Sequence, residues 1–524
     1  MNQTPKYKTI YFDEPQLMFG DNQTTADPRD GLILFGAYEK FNTRKHSLRA
    51  GVIGTKEGIK NYKQFVKTLN QPLISTKWNY QSKSHESDEL QRPSFPGFEA
   101  VFNVHWSSEP ELEIPINDIE IHSILKSVKT KKKRTSDLVD LYLSKIVDAK
   151  GDEDSSVDIW FVIVPKKVWE DCRPNSRGKN ISANTLDYLE KSKAGQTSLF
   201  DDADYLETLQ HIVNASSDFH HLLKARMIQE EIAPPIQIFV EPKLRFRDIL
   251  SNKPYDPNMK AHLAWTISTT VYYKLGKLPW KLTGIRDGVC YLGLVFKKLN
   301  DAKGKSACSA AQMFLKDGDG AVFRGNIGLW ESVRPNEYHL DETEAHKLLN
   351  LALNDYHDKW KKYPDEFFIH GRVEFDETEW KGFEKAIADK KAKTNLVGVV
   401  IKDKAPMKLF REAPNQQNRY GVLRGVGVIM NEKEGYLNTR GFVPRLNTSL
   451  SMEIPNTLFI RVAKGDSSIE TVMADVLALT KLNYNACIYG DGKPVTLSFS
   501  DNIGGILTAT DQWKVETRQF KYYI

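Results

Sequence analysis

Sulfur is scarce in this chain. Only four of its 524 residues are cysteines, and Cys172, Cys290, Cys308 and Cys487 stand apart with no CxxC pair, which argues against a cysteine-built zinc centre and against a disulfide framework. No run of about 18 apolar residues, the length that spans a bilayer, occurs. The opening MNQTPKYKTIYFDEP lacks the apolar core of an export signal. Together these absences predict a cytoplasmic protein in a reducing compartment, with no membrane partner. A surplus of one charge sign is missing too. Lys and Arg number 73 against 68 Asp and Glu, too slight an excess to identify a nucleic-acid binder by charge alone. There is no internal repeat, and no GxxxxGK[ST], HExxH or GxSxG, so the common phosphate-loop, zinc-protease and hydrolase templates find no support.

What is present is a globular composition: 40% hydrophobic, 27% charged and 11% aromatic residues, enough chain for two or three cores. GLILFGAYEKFNTRKHSLRAGVIG at 31–54 reads as strands and turns, followed by a helix. Residues 75–94 are polar and read as an exposed loop. The run Lys131–Arg134 opens a helical segment with Leu138, Leu141, Leu143 and Ile146 roughly on one face, and is itself read as a solvated face or a target contact. DIWFVIVP (158–165) and Ile236–Val240 are uninterrupted apolar runs of strand length, typical of parallel strands covered on both faces. Between them lie a polar insertion (173–204) and a helical pattern (205–231). Strand, helix, strand signals an α/β unit.

A second α/β unit begins near residue 286. Its expected elements are strands at 289–296, 320–330, 367–370, 396–401 and 494–499, and helices at 341–362 and 376–390. A further helix running to Leu482 is expected to start from a capping box at Ser467 and Glu470. Gly421, Gly425 and Gly427 precede a strand pattern and read as hairpin glycines, not a dinucleotide loop. The DGDG at 317–320 reads as a tight turn without the remaining ligands of a calcium loop.

His220 and Lys224, four apart in SSDFHHLLKARM, fall on one helical face. That spacing is common on solvated helices, but Gln237 and Lys274 follow as polar groups set in apolar text. Cationic and amide donors converging on one pocket suit a terminal phosphate. The order His-Lys, Gln, then KLGKLPW at 274–280 resembles the MID domain of Argonautes. The second half carries GVCYLGLVF, FFIHGRVEFDETE, YLNTRGFVPRL and LTKLNYNACIYGDGKPVTLSFSD, which resemble PIWI segments. The chain is thus similar to short prokaryotic Argonautes.

The resemblance implies a Rossmann-like MID domain followed by an RNase H-like PIWI domain, with an N-terminal segment at 1–35, MID at 36–285 and PIWI at 286–524. It implies a guide 5′-phosphate pocket of His220, Lys224, Gln237 and Lys274, with Thr270 standing where many relatives have a second lysine. It also implies Mg²⁺ bound by the carboxylate of Ile524. PIWI nucleases hold two divalent ions with carboxylates. The expected positions here fall at Val295 and at Gly371 or Arg372, which cannot ligate, leaving Asp501 as one acid. The resemblance therefore implies no cleavage. It implies instead guide-RNA-dependent recognition of single-stranded DNA, in a heterodimer with an APAZ-containing effector that oligomerises on target binding. A TIR NADase is preferred as that effector, over a sirtuin-like or nuclease one. The alternatives are an active nuclease using Asp501 with Glu374, Asp376 and Glu377, and a guide-binding regulator without effector. Arg411, Arg419, Arg424, Arg440, Arg445 and Lys481, interleaved with Tyr420, Tyr436 and Tyr484, are expected to line a guide–target channel.

Overall fold

The computed structural model describes residues 7–42, 46–75, 93–127, 131–150, 156–173, 218–232, 234–298, 306–315, 320–329, 338–403, 407–410, 422–446, 448–449, 455–510 and 517–524. Most of the 173–204 insertion, the first part of the 205–231 pattern, most of the 75–94 loop, the DGDG residues before Gly320, and Arg411, Arg419, Tyr420 and Gly421 lie outside the described residues.

After β1 (Lys8–Tyr11), strands β2 (Ala50–Thr55), β3 (Leu112–Ile116), β4 (Ile159–Val164) and β5 (Ile236–Val240) form an all-parallel sheet in the order β3-β2-β4-β5. Its central strands are apolar throughout because both faces are covered. Val52, Phe161 and Ile163 enter one core, while the alternate residues Ile53, Trp160 and Val162 enter another. Each side chain buried this fully contributes about 1.5–3 kcal/mol. Helix α1 (Lys131–Lys150) packs through Leu138, Tyr142 and Ile146, all fully buried. Leu141, expected on that face, is only half-buried.

Three further helices position the site. Helix α2 (Phe219–Gln229) starts where the Asp218 carboxylate accepts from the His220 amide at 2.9 Å, satisfying one free N–H of its first turn. Helix α3 (Glu241–Leu244) follows β5 directly. Helix α4 (Pro257–Lys274) is capped by Asp256 with proline in its first turn, and it stops because Gly276 takes a left-handed φ of +83°. That stop fixes Lys274 as its last residue.

The second half forms a ten-stranded sheet. It adds β6 (Val289–Lys298), β7 (Ser306–Leu315), β8 (Gly320–Leu329), β9 (Glu366–Gly371), β10 (Asn395–Lys402), β11 (Val426–Asn431), β12 (Glu434–Leu437), β13 (Leu458–Lys464) and β14 (Thr517–Gln519). The order is β1-β11-β12-β13-β10-β9-β6-β7-β8-β14. Within it, β6, β7 and β8 make an antiparallel meander, while β6, β9 and β10 run parallel. This arrangement is RNase H-like. Helices α5 (Glu342–Trp360) and α6 (Glu377–Asp389) cover it through Leu348, Leu349, Ala352 and Phe383, all buried with Phe367 and Ile369 of β9. Strand β1 joins its edge, Lys8 opposite Ile429, so the N-terminal segment is woven into the second half.

Three expectations change. Strand β7 is an addition to the expected set, its SACSAAQMFL being small and weakly patterned. Helix α7 (Ile469–Leu479) is capped by Ser468, whose Oγ accepts from the Thr471 amide at 3.1 Å, instead of Ser467. Residues expected as a strand at 494–499 form helix α8 (Val495–Ser498), because Pro494 supplies a preset φ just before its first turn. Helix α9 (Ser500–Leu507) continues from it.

Candidate nucleic-acid interface

Four separate elements converge on one recess. Lys224, one turn into α2, has a relative exposure of 3%, and its Nζ donates to the Ile524 oxygen at 2.6 Å and to the Tyr523 carbonyl at 3.2 Å. Lys274, at 1% exposure, donates to the Ile236 carbonyl at 2.8 Å and to Gln237 Oε1 at 2.7 Å. The four residues expected to act together do lie together, and residues 523 and 524 close the recess. Thr270, fully buried, spends its hydroxyl on the Thr266 carbonyl at 2.8 Å and adds no charge.

The electrostatics of the recess are lopsided. Burial drives the Lys224 ammonium down to about 7. Burial, reinforced by Lys224, drives Lys274 well below the lysine range. His220 is open to solvent yet deeply set among protein atoms. That surrounding, with Lys224, His221, Lys274 and Lys243, holds its imidazole well below the ordinary histidine range. Lys243, on α3, is also pushed down by burial, and sequence reasoning missed it because nothing in EPKLRF distinguishes it. Among the described residues neither Lys224 nor Lys274 has a carboxylate side chain as partner. Asp218 favours the charged Lys224 from a distance, but its oxygens cap α2 and lie 3.7 Å from His221 Nδ1. Burying an ammonium without a counter-charge costs several kcal/mol. An anion entering the recess relieves that cost, and phosphate offers several acceptor oxygens at once.

The second expected cluster is different. Val295 lies on β6 and Gly371 ends β9. The register pairs Gly293 with His370 as the last pair of the two strands, and Arg372 lies just beyond the end of β9. Asp501 lies in α9. His370 is buried, kept neutral by that burial with its pKa down to about 3, and hydrogen-bonded through Nδ1 to Thr496 Oγ1 at 2.9 Å. Glu374 pairs with Arg461, Glu377 pairs with Lys464, and Asp376 caps α6. Among the described residues no group of three or more His, Cys, Asp or Glu side chains is placed to hold a metal.

Of the expected channel residues, three are corrected, Arg424, Lys481 and Tyr484, all buried. Arg424 and Lys481 have side chains 1% and 0% exposed and are joined to Glu14, beside the buried pair Arg29–Asp27 at 3.0 Å. Arg424 donates also to Thr480 Oγ1 at 2.7 Å, and Lys481 to the Tyr489 carbonyl at 2.6 Å. They tie the N-terminal segment to the second half and cannot reach a nucleic-acid backbone. Tyr484 is likewise buried, bonded to the Trp280 carbonyl at 2.9 Å. Arg445 pairs with Asp30, Arg440 is half-exposed beside Asp491, and Tyr436 is partly buried with its ring against Phe459. The run at 131–134 is engaged locally, Lys131 with the Arg173 carbonyl and Lys133 with Asp137, both at 2.6 Å. Cys172, Cys290 and Cys487 are buried free thiols. No helix among the described residues is long and apolar enough to cross a membrane.

No protein-family model matches the chain and no curated protein matches it in sequence. Solved structures do match. Clostridium butyricum Argonaute, in a structure with a guide DNA and a 19-mer target DNA, is similar at a TM-score of 0.60 and 12% identity over 99% of this chain and 55% of that one. Drosophila Piwi is similar at a TM-score of 0.55 and 12% identity over 98% of this chain and 56% of that one. The chain spans just over half the length of these proteins. At that identity the likeness is one of fold: a mixed α/β structure with the Argonaute arrangement of a MID-like and a PIWI-like half.

Proposed function

We propose that this Argonaute-folded chain holds the 5′-phosphorylated end of a guide nucleic acid in the recess of His220, Lys224, Gln237 and Lys274, and serves as a guided sensor of a complementary strand. The observation that carries the reading is the pair of buried ammonium groups that, among the described residues, no acidic side chain partners, beside a solvent-accessible histidine. Charge-assisted hydrogen bonds to a phosphate supply what they lack. In this reading residues 36–285 are the guide-holding MID domain and 286–524 the PIWI domain.

The finer reading follows the motif resemblance: the guide is RNA, the target single-stranded DNA, and the compartment the cytoplasm. The output belongs to an associated APAZ-containing effector, a TIR NADase by preference, in a heterodimer that oligomerises on target binding. The chain itself does not cleave, since Val295 and Gly371 cannot hold metal ions. The rival reading, a displaced nuclease site at 374–377, is disfavoured by the ion pairs and cap that occupy those acids.

Magnesium at Ile524 would share its donors with the two lysines. The ion takes oxygen ligands in near-octahedral geometry, whereas the recess offers the Ile524 oxygen, already bonded to an ammonium, and Gln237 Oε1, bonded to another. No binding step is routed through the ion.

The test is binding of 5′-phosphorylated against 5′-hydroxyl guides. The His220→Ala, Lys224→Ala double variant is expected to lose the preference for phosphate. Undiminished discrimination would sink the pocket assignment.

A further inference from the structure

Helix α2 has two sides with different duties. Phe219, Leu222, Leu223 and Met227 anchor it in a core of the first half with Tyr142 of α1. Ala225 and Ile228 face another core, shared with Ile503 and Ile506 of α9 and with Ile524. His221 lies one turn before Ala225, and Lys224 one turn before Ile228, so both belong to this second side. Opposite His221 stands Gly505. Its backbone is that of helix α9, so no turn requires glycine there, and glycine weakens a helix interior. The requirement is space: a Cβ at Gly505 would come within 2.5 Å of His221 Cε1 and 2.6 Å of Nδ1. The imidazole therefore lies against the bare backbone of α9, in a seat that a larger residue would fill. One oxygen of Asp218 stands 3.7 Å from His221 Nδ1 while the other caps α2.

We propose that His221 is a positioning residue for the recess: seated on Gly505, it fixes the first turn of α2 against the second half and so aims Lys224 at residues 523 and 524. The seat and the Lys224 hydrogen bonds lie one turn apart on the same side of α2, and the partners of both belong to the second half. A hydrogen bond of 2.6 Å tolerates little displacement of its donor. The α2 residues in the shared core are the small Ala225 and, a turn later, Ile228. The end of the helix that carries His220 and Lys224 is therefore located by the His221 ring. Helix α9 packs in turn on β6, which registers the recess against the centre of the ten-stranded sheet. A donor already aimed loses less freedom when an anion arrives.

The inference rests on the guide-binding reading for its ligand, and a double-mutant cycle in the full-length protein separates the two. Gly505→Ala pushes a methyl group into the ring, and His221→Ala empties the seat. Each is expected to bind a 5′-phosphorylated guide about tenfold less tightly, with affinity for the 5′-hydroxyl guide unchanged within about twofold. His221→Ala with Gly505→Ala puts the new methyl group into the emptied seat and should bind the phosphorylated guide more tightly than Gly505→Ala alone. His221→Ala thus weakens binding in one background and strengthens it in the other, a reversal that a general loss of stability does not produce. Amide hydrogen exchange of the ligand-free proteins reads the seat without a guide. Gly505→Ala should speed exchange in residues 219–224 and 520–524 and leave β2 to β5 as in wild type, and adding His221→Ala should slow it again. Undiminished phosphate discrimination in both single variants, or losses that simply add in the double one, overturns the inference while the recess stands. Exchange that follows the cycle in a protein with no preference for 5′-phosphate overturns the guide-binding reading instead and leaves the seat in place.

Discussion

Two clusters of buried cations in this chain look alike in sequence and are opposite in physics. Around Glu14, the cations Arg424 and Lys481 and the neighbouring Arg29 find carboxylates. Burial pulls Lys481 down to about 8, and Glu14 and Asp27 oppose the pull. Around Ile524, Lys224 meets the Ile524 oxygen and the Tyr523 carbonyl, Lys274 meets the Ile236 carbonyl and Gln237 Oε1, and neither meets an acidic side chain. A buried charge that has its partner inside the fold is part of the framework. One that no acidic side chain compensates has room for an anionic partner from outside. That distinction, more than the motif order, separates the recess from a structural ion network.

The comparison can be broken first on the paired side. Glu14→Ala strands Arg424 and Lys481 without their shared counter-charge and should cost about 3–5 kcal/mol of stability, read by urea unfolding; a loss under about 1 kcal/mol would mean the network is not what holds the N-terminal segment. On the unpaired side the sign reverses. Lys274→Met removes a charge that meets only a carbonyl and an amide oxygen in the ligand-free fold, so ligand-free stability should hold or rise by about 1 kcal/mol, while binding of a 5′-phosphorylated guide weakens. A destabilised Lys274→Met protein with unaltered guide affinity would erase the contrast.

Acidity sharpens it further. Lys224 ionises at about 7 in the fold against an ordinary 10.5, so between those values the unfolded chain holds the extra proton. Ligand-free stability from this group therefore increases as pH rises from about 7 towards 10.5, because the charge that burial penalises is gone. Affinity for a 5′-phosphate should move the other way, falling as pH climbs above neutrality, as guide titrations from pH 6 to 9 would register. The smallest expected effect is none at all: chelating divalent ions should leave discrimination between 5′-phosphate and 5′-hydroxyl guides unchanged, and a collapse of discrimination in chelator would return the metal to the pocket.

Much of the architecture was legible because it rests on local pattern. DIWFVIVP could only be a strand covered on both faces, and Ala345, Leu348, Leu349 and Ala352 trace a helical seam that is buried as expected. The pocket was legible in part, since His220, Lys224, Gln237 and Lys274 are each odd for their surroundings. What failed were features decided at a distance. PVTLSF has strand-like composition, yet it turns as a helix packed on β6, where a Cβ at Gly293 would strike the Thr496 carbonyl. Arg424 looked like a channel residue because the glutamate that buries it lies 410 positions away. Lys243 carries no local signature; only the folded chain brings it beside His220.

The hydrogen bond from Lys224 to Ile524 closes a loop of 300 residues, and it has a meaning in time. A ribosome making this protein exposes α2, β5 and α4 long before residues 520–524 emerge. Through that interval Lys224 lacks the oxygens that hold it, and the recess has no floor. In the proposed reading a nascent chain is thus unable to take a guide into a finished pocket, and loading waits for those residues, a quality check written into the order of synthesis.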